Sequence, residues 1–436
     1  MKSKYLTICA IALALVAAVL IPKIIKNHRN SKLPLQEQAL IVFSEGNCLR
    51  CHSQAPVHPW YHSVPGLADK VEKAAKEGVR AIDLESSLAQ LNTPKGMSLP
   101  DVIRIENAVK HMQTRAVLTN REVDKIKEWM RDYRQSRYPN SNADHFKNEA
   151  IHVIPDVSPL PVDTAKAKLG KALFLDTRFS ADNSLSCASC HLPEEHFVDH
   201  EQVSDGVAGA VGTVNAPTVL NSVFNFVQFW DGRAVTLAEQ AAGPPVNPVE
   251  MACKSFDEIV EKFVRDKEFM KAFGKVYSEV TEATLTDAIE HYERSLITPG
   301  GPFDSYLKGN ALAISPEAIE GYALFKDNNC AGCHSGPNAG GLSFEYMGLK
   351  HDYFADRGEC AEVVDDNGHF NVTGNPYDLH RFKVPGLRNV AYTQPYFHDG
   401  NVVSLEQAVK DMAWYQYGVK LSGEECAKIC AFLETL

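Results

Sequence analysis

Three copies of Cys-x-x-Cys-His constrain this chain more than any other feature. They are Cys48-Leu-Arg-Cys51-His52, Cys187-Ala-Ser-Cys190-His191 and Cys330-Ala-Gly-Cys333-His334. With 11 Cys and 16 His in 436 residues, roughly 0.01 such matches are expected by chance. Two thiols at this spacing form thioether links to the vinyl groups of a porphyrin, and the adjoining His is the proximal iron ligand. The rival readings are a zinc site and a thioredoxin-like redox pair. Zinc usually takes two such pairs close together, and a redox pair does not need the His. Three covalent c-type haems are therefore expected, with Cys48, Cys51, Cys187, Cys190, Cys330 and Cys333 as attachment points and His52, His191 and His334 on iron. Domains wrapped on a large apolar macrocycle need only short helices and long loops. The fold expected is all-α, with three cytochrome c-like haem domains.

Length allows two or three such domains, and the apolar and charged fractions are those of a globular protein. A net charge of −11 disfavours nucleic acid as a partner and favours a basic donor if the donor is a soluble protein. Covalent haem attachment of this kind implies export, where disulfides persist. Outside the haem motifs, Cys253–Cys360 and Cys426–Cys430 are conceivable bridges, with free buried thiols as the alternative.

Lys2 and Lys4 precede an apolar run over 5–21, ended by Pro22-Lys23. Without a small-x-small cleavage site, residues 1–30 read as an uncleaved membrane anchor rather than a cleaved signal. Haem attachment places the body on the periplasmic side of the inner membrane. Residues 31–145 read as the first haem domain, with a helix over 35–43 leading to Cys48. Thr93-Pro94-Lys95-Gly96-Met97-Ser98 presents Met97 as the second axial ligand, a soft thioether that raises the potential. Met112, His58, His62 and His111 compete with it. Thr119 and Glu122 form a capping box for a helix over 119–133 that packs on the first helix. The Pro-rich residues 134–162 read as a linker or an irregular crossing segment. Residues 146–305 and 306–436 hold the second and third haem domains, and 421–433 is a closing helix.

Between the second and third motifs stand Trp230-Asp-Gly-Arg233, Gln240 and Asn247-Pro-Val-Glu250-Met251. Gln240 and Glu250 are ten positions apart on a stretch stiffened by Pro244, Pro245 and Pro248. They read as the polar groups facing the open side of the second haem. A carboxylate there can carry a proton between the two oxygens of a peroxide, and an amide can orient that peroxide.

Residues 160–436 resemble the bacterial dihaem cytochrome c peroxidase family, block by block and in family order. The blocks are 169–180, the second haem motif, 215–221, 228–233, 243–251, the third haem motif, 383–389 and 395–400. The additional N-terminal haem and anchor resemble the membrane-attached trihaem subgroup, the quinol peroxidases. The resemblance implies reduction of hydrogen peroxide to water. Glu250 is the implied catalytic acid/base, Gln240 its distal polar partner, and Trp230 the tryptophan between two haems. It implies Met412 as second ligand of an electron-transfer haem at the third motif. It further implies a calcium ion on Asn215, Thr393 and Pro395, and a homodimer as one assembly. The donor is quinol, or in the alternative a soluble cytochrome or cupredoxin. A non-catalytic multihaem carrier is a second alternative, and oxidation of a protein side chain, as in maturation relatives with Tyr in place of Met412, is a third. Val207 stands where family members that need reductive activation place a blocking His. An iron open at rest follows, unless His196 or His200 folds back.

Overall fold

The computed structural model describes residues 32–45, 48–56, 58–114, 118–357 and 363–436. The expected anchor at 1–30, Cys9 and Cys360 lie outside the described residues. Among the described residues no helix is long and apolar enough to cross a membrane. The chain divides into two compact units. One comprises Met1–Pro94 and Ile105–Arg137, the other Lys95–Arg104 and Tyr138–Leu436.

In the smaller unit, helix Leu35–Glu45 leads to the first motif, and helix Asn120–Arg137 packs against it through an edge-to-face contact of Phe43 and Trp129 at 6.3 Å. The start of the second helix is fixed as its sequence predicts. Thr119 Oγ1 accepts from the Glu122 amide (3.3 Å), and the Glu122 carboxylate accepts from the Thr119 amide (2.8 Å).

The larger unit builds two helix pairs on one plan. Helix Thr164–Phe174, capped by Asp163, crosses helix Glu282–Arg294, capped by Thr281. Helix Pro316–Asp327, capped by Ser315, crosses helix Gly423–Leu433, capped by Ser422 and Glu425. Each crossing needs a glycine. A Cβ on Gly170 would stand 1.8 Å from the Ala288 carbonyl oxygen, and one on Gly321 would stand 1.8 Å from that of Lys428. The first pair anchors a core of Phe174, Phe179, Ile259, Phe263 and Ile289. The second anchors Phe303, Tyr322, Phe325, Ile429 and Phe432.

The fold is mostly helical, with one departure from the all-α expectation. Strands Phe344–Tyr346 and Arg381–Lys383 pair antiparallel, Phe344 opposite Lys383. Three residues per strand are too few to show a period-2 pattern. Residues 134–137 continue the helix Asn120–Arg137 past its expected end at 133, and 138–162 form an irregular segment, not a free linker. Ile151, Val153 and Ile154 are buried, and Asn142 joins the segment to itself through Phe146, Ile151 and Val153. Cys426 and Cys430 are free thiols, as is the buried Cys253, so the free-thiol alternative holds for these three and the conceivable i,i+4 bridge is absent.

Candidate active site

The second and third Cys-x-x-Cys-His motifs open onto one cavity of about 960 Å³ in the larger unit. That lies at the top of the ~300–1,000 Å³ range of single ligand sites. Cys187, Cys190 and His191 line it, and so do Cys330, Cys333 and His334. Burial pushes the Cys187 and Cys330 thiols up to about 12 and Cys333 to about 11. Such neutral sulfurs suit thioether formation and not thiolate chemistry. The two imidazoles are set alike. His191 Nδ1 faces the Phe197 carbonyl (3.3 Å) and His334 Nδ1 faces that of Ala339 (3.2 Å). A ring that donates from Nδ1 turns Nε2 toward a metal. Burial depresses both histidines, His334 to about 4, so each is a neutral ligand at pH 7. Two thiols, an oriented imidazole and an apolar chamber fit a covalent haem at each motif.

Every residue expected around these haems, from Asn215 to Met412, reaches this chamber. Trp230, Gln240, Glu250, Met412, Asn215, Thr393 and Pro395 all line it. Gln240 rides on helix Leu237–Val246, started by Thr236 and Glu239 as a capping box. Glu250 follows in the turn after that helix, and its carboxylate accepts from Asn247 Nδ2 (2.6 Å). Burial raises the Glu250 pKa, against the opposing pull of Arg233 and Asn247. The backbone holds it from the other side, since the Val207 amide donates to the Glu250 carbonyl (2.8 Å). Trp230 Nε1 donates to the Asn215 carbonyl (2.9 Å), and its ring meets His398 edge-on at 6.5 Å. Trp230 and Met412 pack on the same cluster of Met347, Tyr353, Phe354 and Phe382. Met412 ends helix Leu405–Met412 and is followed by a single π-helical turn, Ala413–Tyr417.

His196 and His200 do not line the chamber. His196 stacks on Tyr392 at 4.6 Å, and His200 Nδ1 lies 2.9 Å from the Gln394 carbonyl. Val207 lies in the turn Val207–Gly209. Asn215 donates its amide to the carbonyls of Glu201 and Gln202 (3.0 and 3.3 Å). Among the described residues nothing donates to its Oδ1 or to the carbonyls of Thr393 and Pro395. Three undonated oxygens, two of them backbone, fit a hard cation such as calcium.

In the smaller unit, His52 Nδ1 faces the Ile82 carbonyl (3.2 Å), repeating the orientation of the other two motif histidines. The cavity beside it is small, about 10 Å³, and lined by Phe43, Ile82, Leu84, Ile105, Ala108 and Val109. The ring orientation matches that at the other two motifs, while the cavity is far smaller than the chamber they share. Met97 is fully buried and is counted with the larger unit, where its carbonyl accepts from Tyr138 (2.5 Å). His58 and His62 stack on each other at 4.2 Å; the side chains of His111 and Met112 lie outside those described.

Sequence reasoning missed three charged residues on this wall. Glu293 lines the chamber with its carboxyl pushed up to about 8 by burial. Lys383 lines it as a buried cation. Glu345 is held there by Arg104. Glu293 stands in the helical pattern Tyr292-Glu-Arg294, where it reads as a solvated face.

The sequence pattern of the di-haem cytochrome c peroxidase family matches residues 164–312, and that of a haem-binding domain matches 13–132. Cytochrome c peroxidase Ccp of Escherichia coli K12 is 43% identical over 404 residues, covering 90% of this chain and 86% of that protein. Cytochrome c551 peroxidase of Nitrosomonas europaea is 44% identical over 292 residues, covering 66% and 84%. The crystal structure of a MauG-like protein associated with microbial copper homeostasis superimposes with a TM-score of 0.56 at 29% identity, over 65% of this chain and 93% of that one.

Proposed function

Because the chain belongs to the di-haem cytochrome c peroxidase family and is an oxidoreductase reducing peroxide at c-type haem, we propose that it is the membrane-anchored, trihaem, quinol-fed form of that enzyme. The observation that carries the peroxidase part of this reading is the single chamber shared by two haem motifs, Trp230, Gln240, Glu250 and Met412; the trihaem and anchored parts are supported by the additional Cys48–His52 motif and the apolar run over 5–21. Domains run over 31–145, 146–305 and 306–436, behind an anchor at 1–30 that keeps the body in the periplasm. Cys48 and Cys51 would attach the first haem, with His52 as its proximal ligand. Support for it comes from the haem-binding pattern over 13–132.

Haem, when bound, supplies an open coordination position for peroxide and the electrons that split its O–O bond. The chain's own residues handle the protons and the geometry. Glu250 takes a proton from one peroxide oxygen and returns it to the leaving oxygen, so that two electrons and two protons in all yield two waters. Asn247 holds the carboxylate in place at 2.6 Å, and Gln240 orients the peroxide by hydrogen bonding. Neither His196 nor His200 lines the chamber. His196 and His200 are committed to Tyr392 and Gln394, which supports a second haem open at rest. Met412 would be the second ligand of a haem at the third motif, which would close that iron to peroxide and raise its potential. Trp230 lies on the route between the two, and electrons enter at the first haem. Asn215, Thr393 and Pro395 would hold calcium, which would fix the segment to which Trp230 is hydrogen-bonded.

The test is anaerobic peroxide consumption by the full-length protein with quinol as the only reductant. Steady turnover is expected. Turnover only with a reduced small cytochrome would move the donor into solution and overturn the quinol assignment. A count of three covalent haems per chain checks the first motif separately.

A further inference from the structure

Lys383 is 6% exposed and ends the strand Arg381–Lys383. Its amide donates to the Trp230 carbonyl (2.8 Å), and the residue lines the chamber. Among the described residues its ammonium has no ion pair and no hydrogen bond. Other buried cations of this unit all have partners. Arg104 meets Glu345 at 2.6 Å, Arg388 meets Asp304 at 2.7 Å, and Arg357 meets Asp366 at 2.7 Å and Asp399 at 3.0 Å. Of the carboxylates on the same wall, Glu345 is engaged by Arg104, Asp231 by Arg233 and Glu250 by Asn247, while Glu293 is pushed up by burial and by the charge of Glu290 and makes no ion pair with Lys383. A lone buried ammonium costs several kcal/mol. A haem brings two propionate carboxylates into a chamber whose wall is otherwise mostly apolar.

We propose that Lys383 is a haem-binding residue, its ammonium paired with a propionate carboxylate of a haem in the chamber it shares with Trp230. This rests on the reading that haems occupy the second and third motifs. The pair does two things. It compensates two charges that would otherwise be buried alone, and it holds a fixed positive charge beside a redox centre. A nearby cation stabilises the reduced, less positive state, so it raises the midpoint potential. Burial of the unpaired side chain alone would hold its pKa down at about 8, which a paired propionate reverses.

The experiment compares Lys383→Met and Lys383→Arg with the wild-type holoenzyme by spectroelectrochemical titration of each haem, with covalent haem content measured alongside. Lys383→Met should lower the midpoint potential of at least one chamber haem by the equivalent of a tenfold change in its reduction equilibrium, about 59 mV for one electron. Lys383→Arg should restore most of it. Unchanged potentials in Lys383→Met with full haem content would overturn the proposal while leaving the peroxidase reading intact. Loss of haem from wild type itself would strike at that reading instead. If Lys383→Met does not mature, a structure of the wild-type holoenzyme decides. A propionate oxygen at hydrogen-bond distance from Nζ, about 2.7–3.2 Å, supports the pair, and none in reach refutes it.

Discussion

Arg104 Nη1 lies 2.6 Å from Glu345 Oε1, with each side chain only 11% exposed. The same guanidinium donates to the Gly332 carbonyl (3.3 Å) and to Ser343 Oγ (3.1 Å), so it braces the third haem motif from outside its own loop. Removing one member of a buried pair leaves the other charge uncompensated, at about 3–5 kcal/mol. Arg104→Met should destabilise the holoenzyme to denaturant by that order. Adding Glu345→Gln should recover part of the loss, because the stranded carboxylate is then gone. Equal additive losses in the double-mutant cycle would show that the two side chains do not act as a pair.

Glu250 should govern the acid limb of turnover. Its pKa is raised by burial and held back by Arg233 and Asn247, so the proton-accepting form is lost as pH falls through a value above the usual ~4.3 of glutamate. Glu250→Ala should lower turnover by about 10²–10⁴-fold with haem content intact. Asn247→Ala removes a hydrogen bond to the ionised form. The acid limb should then move to higher pH by about one pH unit, while turnover at alkaline pH changes little. A shift toward lower pH would contradict the proton role.

Asp304 and Arg388 form the most deeply buried ion pair of the larger unit, at 2.7 Å and no more than 1% exposed. Arg388 also donates to the carbonyls of Pro337 and His152, and Asp304 accepts from the Ile154 and Gly300 amides. One pair therefore fixes the irregular segment at His152 and Ile154 against Pro337, three residues after the third Cys-x-x-Cys-His motif. Asp304→Ala should cost about 3–5 kcal/mol, seen as a lowered denaturation midpoint of the haem-loaded protein. A change of a few tenths would mean that solvent reaches Arg388.

What could be read in advance was whatever is written locally. The motif spacing, the Thr119–Glu122 box and the closing helix before Leu433 each lie within a few residues. Glu250, Gln240, Trp230 and Met412 were legible because their blocks resemble a family, and they do line one chamber. The buried charges were not legible. Arg104 finds Glu345, and Arg388 finds Asp304, across long stretches of chain, and no local pattern separates a paired buried charge from a solvated one. Lys383 was hidden for the same reason, with its partner belonging to the cofactor. Residues 134–162 were read as polar and Pro-rich because Ile151, Val153 and Ile154 carry no helical or strand period, although they are core.

Asp366 ties acid stability to the site. Its carboxylate accepts from His398 Nε2 (2.9 Å), from both terminal nitrogens of Arg357 (2.9 and 2.7 Å) and from the Val363 amide (2.8 Å). Burial by itself would raise its pKa; these donors outweigh it and hold the group well below the usual carboxylate range. A carboxylate depressed in the folded state contributes stability that is fully present above its unfolded value, about 3.9, and is lost as pH falls toward the folded value. Asp366→Asn should therefore be less stable than wild type at pH 7, by about 3–5 kcal/mol, with the gap closing as pH falls below about 4. Parallel stability curves would assign the difference to packing alone. The effect should reach the site, because His398 stacks on Phe382 at 4.1 Å, meets Trp230 edge-on, and accepts the Asn215 amide on its carbonyl (2.8 Å). In Asp366→Asn at neutral pH, with haem content preserved, electron transfer from the third haem to the second should slow if His398 loses its setting. An unchanged rate would separate the buried charge cluster from the electron path.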